Sequence, residues 1–509
     1  MKNTLNLIVA ILMLTLWATI SPVFAQNVIP PKVLATIGDH PNKAEFLKVL
    51  ANYSQPSDSL KFKAACFLIA NMRIHQSESY YWADSLNKKI AFDELAYGEF
   101  SSAINAFNGL KSKYGKLHPV PTQTNDMDDF HANRLISDID AAFKYWSPTF
   151  CDFNTFCEYV LPYRISVEPL FDWRDKFHER FSKLFDPKAN ISENIRYLVG
   201  NINLWFTCTY NLEKRDEPLP RLSSLQLLQR KKGTCEDAAD LVVFTLRSLG
   251  VPVTVDIVPY WATSTGGHAL NCAFDPNNQP IHFDALSQSD SLHDFVREPG
   301  KVFRTTYSIQ SDALANRLRQ EEIPPYALLR QCNYKDVTQE YWPVRNVACA
   351  LNGQSQAGKI VYACVYNGGS WKPVWWGEST KDSVTFNNMS KGAVYLPKYY
   401  ENGKLIAAGD PVASGNGQVI ELKPDTVSTR AIRLTELPGY LKFRAGAKYK
   451  LAYYDHKWNT IGIKKAGANT KELIFTNVPR NALLILMPNY GEKKERPFII
   501  TDAGERIWW

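Results

Sequence analysis

A thiol, an imidazole and a carboxylate follow one another along this chain at Cys235, His268 and Asp284, each in a segment with a readable local pattern. Such groups can serve as nucleophile, base and orienter of the base, the set that acyl transfer requires. Cys235 lies in Gly233-Thr234-Cys235-Glu236-Asp237-Ala238, and Ala238, Leu241, Val242, Thr245, Leu246 and Leu249 then recur at helical spacing up to Gly250 and Pro252. That pattern predicts a helix with Cys235 in its first turn. The unpaired N–H groups and positive dipole end there favour a thiolate and could hold an oxyanion. Gly233 is expected to turn the chain tightly and to keep a β-carbon out of a substrate's path. Glu236 and Asp237 oppose the thiolate, so the thiol needs a partner base.

His268 opens His268-Ala269-Leu270-Asn271-Cys272-Ala273-Phe274, which alternates like a strand, and Asp275-Pro276-Asn277-Asn278 signals a turn. The chain returns through Ile281-His282-Phe283-Asp284. A turn centred near Pro276 predicts Asp284 directly opposite His268 on one face of a hairpin. Gly266 and Gly267 would admit backbone or substrate close to the histidine, and Cys272, near Leu270, is expected to pack beside the site. Taken singly, a cysteine at a helix start or a histidine on a strand is more often structural. The three in this order point to catalysis, with a degenerate copy of the fold as the alternative.

The stretch Leu222–Ala285, about an eighth of the chain, resembles the core of the transglutaminase-like superfamily. The matching fragments are Gly233-Thr234-Cys235-Glu236-Asp237-Ala238, Leu249-Gly250-Val251-Pro252, Gly267-His268-Ala269 and Phe283-Asp284-Ala285. The resemblance implies a papain-like arrangement with Cys235 as nucleophile, His268 as general base and acid, and Asp284 as orienter. It also implies a second oxyanion donor upstream of the thiol, for which Trp205 and Gln229 are candidates by position; for Trp205, in the apolar pattern Ile202-Leu204-Trp205-Phe206, the core reading is favoured. The implied reaction is amide acyl transfer through a thioester. Hydrolysis of a peptide or glycopeptide bond is favoured over cross-linking, and no cofactor is implied.

Composition narrows the alternatives. With 58 Lys and Arg against 51 Asp and Glu, the net charge of +7 is modest for 509 residues, and scattered basic residues leave no nucleic-acid footprint. Arg230-Lys231-Lys232 reads as a solvated helix flank rather than an acidic-substrate site. Nine cysteines without Cys-x-x-Cys spacing, and His178-Glu179 without a following histidine, argue against zinc. Cys151 with Cys157, or Cys349 with Cys364, could pair after export; buried thiols are the equal alternative. Lys2, the apolar run Leu5–Ile20 and Pro22-Val23-Phe24-Ala25 read as a signal peptide over 1–25, with an uncleaved anchor as the alternative. The expected location is periplasmic, cell-surface or secreted, with no membrane span in the mature chain.

The elements that must position the trio suggest a multidomain α+β protein. Residues 26–149 read as an α-helical domain, including a helix after Asp58-Ser59 and amphipathic stretches Ser79–Tyr97 and Phe130–Tyr145. Residues 150–340 read as the catalytic domain, a helix-borne Cys followed by an antiparallel sheet bearing His and Asp. There Arg164 and Glu168 read as a structural pair more than a carboxylate site. From 345 the chain repeats itself: Val384-Thr385-Phe386-Asn387-Asn388-Met389 with Ala393-Val394-Tyr395-Leu396 parallels Leu473-Ile474-Phe475-Thr476-Asn477-Val478 with Ala482-Leu483-Leu484-Ile485. Two β-sandwich modules, 345–430 and 431–509, follow. Trp371, Trp375, Trp376, Trp458, Trp508 and Trp509 could stack on a glycan or cell-surface polymer, or fill the sandwich cores. A non-catalytic carbohydrate-binding or adhesion protein is therefore the rival reading.

Overall fold

A computed structural model describes residues 27–209, 221–286, 295–325, 327–353, 357–415, 417–437, 441–490 and 496–508. The expected leader at 1–25, and Trp509, lie outside them. Among the described residues, no helix is long and apolar enough to cross a membrane. Two compact units partition the chain: 1–183 with 216–229 and 244–252, and 184–215 with 230–243 and 253–509.

The first unit is built on helices Lys43–Asn52, Ser59–Asn71, Phe100–Tyr114 and Ala132–Tyr145. Ser59–Asn71 buries Ala64, Ala65, Leu68 and Ile69 completely, because the small residues let its neighbours approach. The helix expected over Ser79–Tyr97 is not there. β1 (Gln76–Ala83) pairs instead with β2 (Lys89–Ile90) and β3 (His118–Asn125) in an antiparallel sheet. Alternation explains it: Tyr80 and Trp82, two apart, pack edge to face on one side of a strand. Arg164 is fully buried and bidentate to Asp126, both contacts 2.6 Å, while Tyr163 Oη donates to the same carboxylate at 2.7 Å. Glu168 accepts from the backbone N–H groups of Ile165 and Ser166. The arginine's ion partner is thus Asp126 rather than Glu168, and the cluster fixes a loop.

In the second unit, β4 (Thr207–Cys208) runs parallel to β5 (Lys232–Gly233) at the foot of the helix Cys235–Ser248. Ala238, Ala239, Leu241, Val242 and Val243 on that helix are all at most 1% exposed, so apolar burial on every side holds it. A five-stranded antiparallel sheet follows, in the order β10 (Tyr334–Asp336), β9 (Phe303–Thr305), β6 (Val253–Val258), β7 (His268–Phe274), β8 (Pro280–Phe283). Asn271 on β7 donates from Nδ2 to the Ala239 carbonyl at 3.0 Å, which ties the sheet to the helix.

The sequence repeat is a repeat of topology. β11 (Val344–Ala350) pairs with β14 (Ser383–Ser390), opposite a sheet ordered β13 (Ser370–Glu378), β12 (Ile360–Asn367), β15 (Ala393–Glu401), β17 (Val412–Ser414), β18 (Val419–Glu421), with β16 (Lys404–Ala407) beside β15. β19 (Asp425–Thr435) and β22 (Glu472–Arg480) then pair opposite β21 (Lys457–Lys465), β20 (Lys448–Asp455), β23 (Leu484–Pro488), β24 (Phe498–Ile500), β25 (Arg506–Trp508). Even the irregularities match. Asn388 and Asn477 both have positive φ, 53° and 58°, and β13 and β21 each carry a bulge, at Val374 and Ile461, against their hairpin partners β12 and β20. Val347, Val361, Phe386 and Tyr395 core the first sandwich; Leu434, Leu451, Phe475 and Leu486 core the second. Cys349 faces the first of these cores while Cys364 points to the other side of β12, so those two thiols do not meet. All nine cysteines are free thiols.

Candidate active site

Cys235 is the first residue of its helix and half-buried. The turn that delivers it is locked by Asp237, whose Oδ2 accepts from Thr234 N at 2.8 Å and Thr234 Oγ1 at 2.9 Å, while Thr234 Oγ1 accepts from Asp237 N at 3.3 Å. This reciprocal cap satisfies N–H groups that the helix start leaves orphaned. Asp237 is completely buried, and a β-carbon at Gly233 would sit 2.5 Å from the Asp237 β-carbon. Gly233 therefore makes room for the capping carboxylate, a different task from the substrate clearance expected of it.

The hairpin register differs from the expected one and keeps its consequence. Asn271 pairs with Phe283 and Cys272 with His282, which centres the turn on Asn277 and sets Asp284 opposite Leu270 rather than opposite His268. The offset is two residues, a whole pleat, so Asp284 and His268 remain on one face as diagonal neighbours. His268 Nε2 lies 2.8 Å from Asp284 Oδ2. Asp284 Oδ1 accepts from Leu286 N at 2.9 Å, which holds the carboxylate in place. The imidazole is also hydrogen-bonded to Cys235. With Nε2 committed to the carboxylate, Nδ1 is the nitrogen left for the thiol. Burial disfavours the imidazolium, but the bonds and charges of Asp284 and Cys235 outweigh it and push His268 up to about 9.

Gly267, just before His268, is a glycine for the backbone's sake. A β-carbon there would lie 2.4 Å from the Val258 carbonyl and 2.5 Å from that of Pro259. The Trp261 ring stacks beside the His268 ring, centroids 6.4 Å apart.

Other sequence candidates fall elsewhere. Gln229 spends its amide nitrogen on the Glu94 and Tyr97 carbonyls at 2.8 and 2.6 Å, which removes it as an oxyanion donor. Trp205 is half-buried with its ring edge-on to Phe206. Cys272, expected beside the site, instead belongs to a buried group with Asp256 and His282. A divalent cation has no place there, because Arg304 binds Asp256 through Nε at 3.0 Å and Nη2 at 2.8 Å, and Tyr341 Oη donates to the same carboxylate at 2.7 Å. The thiol that does stand near Cys235 is Cys208, which sequence reasoning missed. Burial pushes it up to about 11, with the negative charges of Cys235, Asp284 and Asp237 adding to the effect. It arrives through the parallel pairing of Cys208 with Gly233, a long-range contact with no periodic signal in the sequence.

Known proteins bear on this geometry in the following way. Residues 187–285 match the family model described as the transglutaminase-like superfamily. No curated protein matches. Among solved structures, a protein of Cytophaga hutchinsonii proposed to be a cysteine protease is similar at 17% identity and a TM-score of 0.20, over 34% of this chain and 52% of that one. This chain thus spans about half the length of that relative. Red sea bream transglutaminase is similar at 9% identity and a TM-score of 0.22, over 86% of this chain and 78% of that one. Residues 187–285, the span similar to the transglutaminase-like superfamily, carry Cys235, His268 and Asp284.

Proposed function

We propose that this protein is a thiol hydrolase that cleaves a peptide or glycopeptide amide bond through a thioester at Cys235. The 2.8 Å contact of His268 Nε2 with Asp284, with the same imidazole bonded to the Cys235 thiol at a helix start, carries the reading. His268 takes the proton of the Cys235 thiol. The thiolate attacks the amide carbonyl, and helix-start N–H groups hold the oxyanion. His268 gives its proton to the leaving nitrogen as the C–N bond breaks. It then takes a proton from water, which attacks the thioester, and the carboxylate product leaves as the thiolate re-forms. Asp284 holds the imidazole's orientation throughout.

The proposal includes export, on the strength of the leader-like pattern at 1–25, and an accessory role for the β modules. A cleft of about 720 Å³ is lined by Glu298, Gly392, Gln418, Ile420 and Trp508. An indole beside carboxylate and amide groups suits a sugar ring, and this cleft supports glycan binding as a second function. Trp371 and Trp458, by contrast, pack against Tyr366 and Tyr454.

Two measurements test the reading. Iodoacetamide should label Cys235 at pH 6 much faster than a free thiol, and a Cys235 thioester trapped from a peptide panel should decay at a rate indifferent to added amine. Acceleration by amines would turn the assignment to transamidation. Ordinary thiol reactivity, together with unchanged glycan-array binding in Cys235→Ala, would leave the binding protein as the function.

A further inference from the structure

The loop between β6 and β7 delivers His268, and its conformation is set from outside the catalytic sheet. Asn367, the last residue of β12 in the first β module, is 4% exposed and inserts its amide into this loop. Nδ2 lies 2.9 Å from each of the carbonyl oxygens of Trp261, Ser264 and Gly266, and Oδ1 accepts from Gly266 N at 3.0 Å. Only this amide orientation fits, since the flipped one would set Oδ1 against three carbonyl oxygens. Gly266, at φ 75°, presents both its N–H and its C=O to the one amide. The loop also closes on itself through Trp261 N to Gly266 O at 3.0 Å. Two residues beyond Gly266 comes His268, and Trp261 stacks on its ring.

We propose that Asn367 is a positioning residue for the thiol chemistry: from the first β module it fixes the turn Trp261–Gly266 and thereby the placement of His268 against Cys235. The module is on this account part of the catalytic apparatus and more than a spacer. A buried amide that bonds four backbone groups deprives the Trp261 and Ser264 carbonyls and the Gly266 N–H of this partner when it is lost, and the turn is then held less firmly in one conformation. The inference rests on the Cys235–His268 pair being reactive, and the experiment separates the two.

The rate of Cys235 alkylation by iodoacetamide is followed from pH 5 to 9 on the full chain, alongside the thermal midpoint. Variants are Asn367→Asp, which keeps the shape but turns a donor into an acceptor facing three carbonyls, and Gly266→Ala, whose β-carbon meets nothing within 4 Å. Lys301→Met is the control. Lys301 is buried and also bridges to the module, through the Asn387 and Asn388 carbonyls at 3.0 and 2.9 Å, but it does not touch the loop. Asn367→Asp is expected to slow alkylation at pH 6 by about 10-fold or more and to move the profile toward that of an unassisted thiol, near pH 8.5. Gly266→Ala should move it in the same direction, and serves if Asn367→Asp does not fold. Lys301→Met should lower the midpoint and leave the profile in place. A wild-type profile in both loop variants, or an equal shift in Lys301→Met, overturns the inference. A wild-type protein that alkylates no faster than a free thiol at pH 6 overturns the proposed function instead.

Discussion

Two sets of cysteine, histidine and aspartate occur within one sheet and its helix, and they are built differently. Cys235, His268 and Asp284 meet at a helix start, with the thiol half-buried and the carboxylate bonded to His268 Nε2 and the Leu286 N–H. Cys272, His282 and Asp256 meet on the strands, where Arg304 takes both oxygens of Asp256 and bonds Glu340, which in turn contacts His282 at 3.0 Å. Residue type does not separate them. What separates them is a thiol at a helix start in one, and in the other a guanidinium that takes up the carboxylates while burial pushes the Cys272 thiol well up. A nucleophile needs an imidazole able to give and take a proton, and an ion-pair anchor needs every charge matched.

That contrast can be broken by substitution. Cys235→Ala is expected to lower turnover by about 10,000-fold or more, whereas Cys272→Ala should leave turnover within about two-fold, measured on any amide substrate the panel yields. Equal losses would erase the distinction. Arg304→Met should cost about 3–5 kcal/mol of stability in denaturant unfolding, because Asp256 and Glu340 are left without their cation, yet the folded fraction should alkylate at Cys235 normally. Asp284→Asn should reverse that signature, with about a 100-fold loss of turnover, a lower-pH collapse of imidazolium and a smaller loss of stability than in Arg304→Met.

Titration sharpens the same contrast with a smaller effect. His268 is raised from 6.5 to about 9 in the fold, so its contribution is present in full below pH 6.5 and is lost as pH rises through about 9. Glu340 moves the other way. Burial would raise it, but the His282 bond and Arg304 hold it below the ordinary carboxylate range, so its contribution is present at neutral pH and lost on acidification. Arg304→Met should therefore flatten the acid limb of a stability–pH curve, and Asp284→Asn the alkaline limb.

Local chemistry made much of the site legible. The helix after Thr234 and the strand from His268 follow from periodicity, and the turn at Asp275–Asn278 follows from its residue types. Register was less accessible, because sliding a hairpin by two residues preserves the face pattern on which the expectation rested. Ser79–Tyr97 was misread for a related reason: short alternation in aromatic residues also satisfies a loose helical pattern, and only pairing with β3 decides between them. Arg164 has Glu168 four positions away in sequence, yet the distant Asp126 holds it by bidentate geometry.

The sequence by itself determined the order of the cysteine, histidine and aspartate, the helix that carries the first, the strand and turn that carry the others, and the doubling of the β modules. These rest on interactions a few residues apart, which leave periodic and turn-specific traces. Tertiary structure alone decided that Cys208 stands beside Cys235, that Arg304 claims Asp256, and that Asn367 reaches the turn before His268. Each of those joins residues tens of positions or more apart through one side chain or one short strand pairing, and so local a meeting of distant segments leaves no period for a sequence to display.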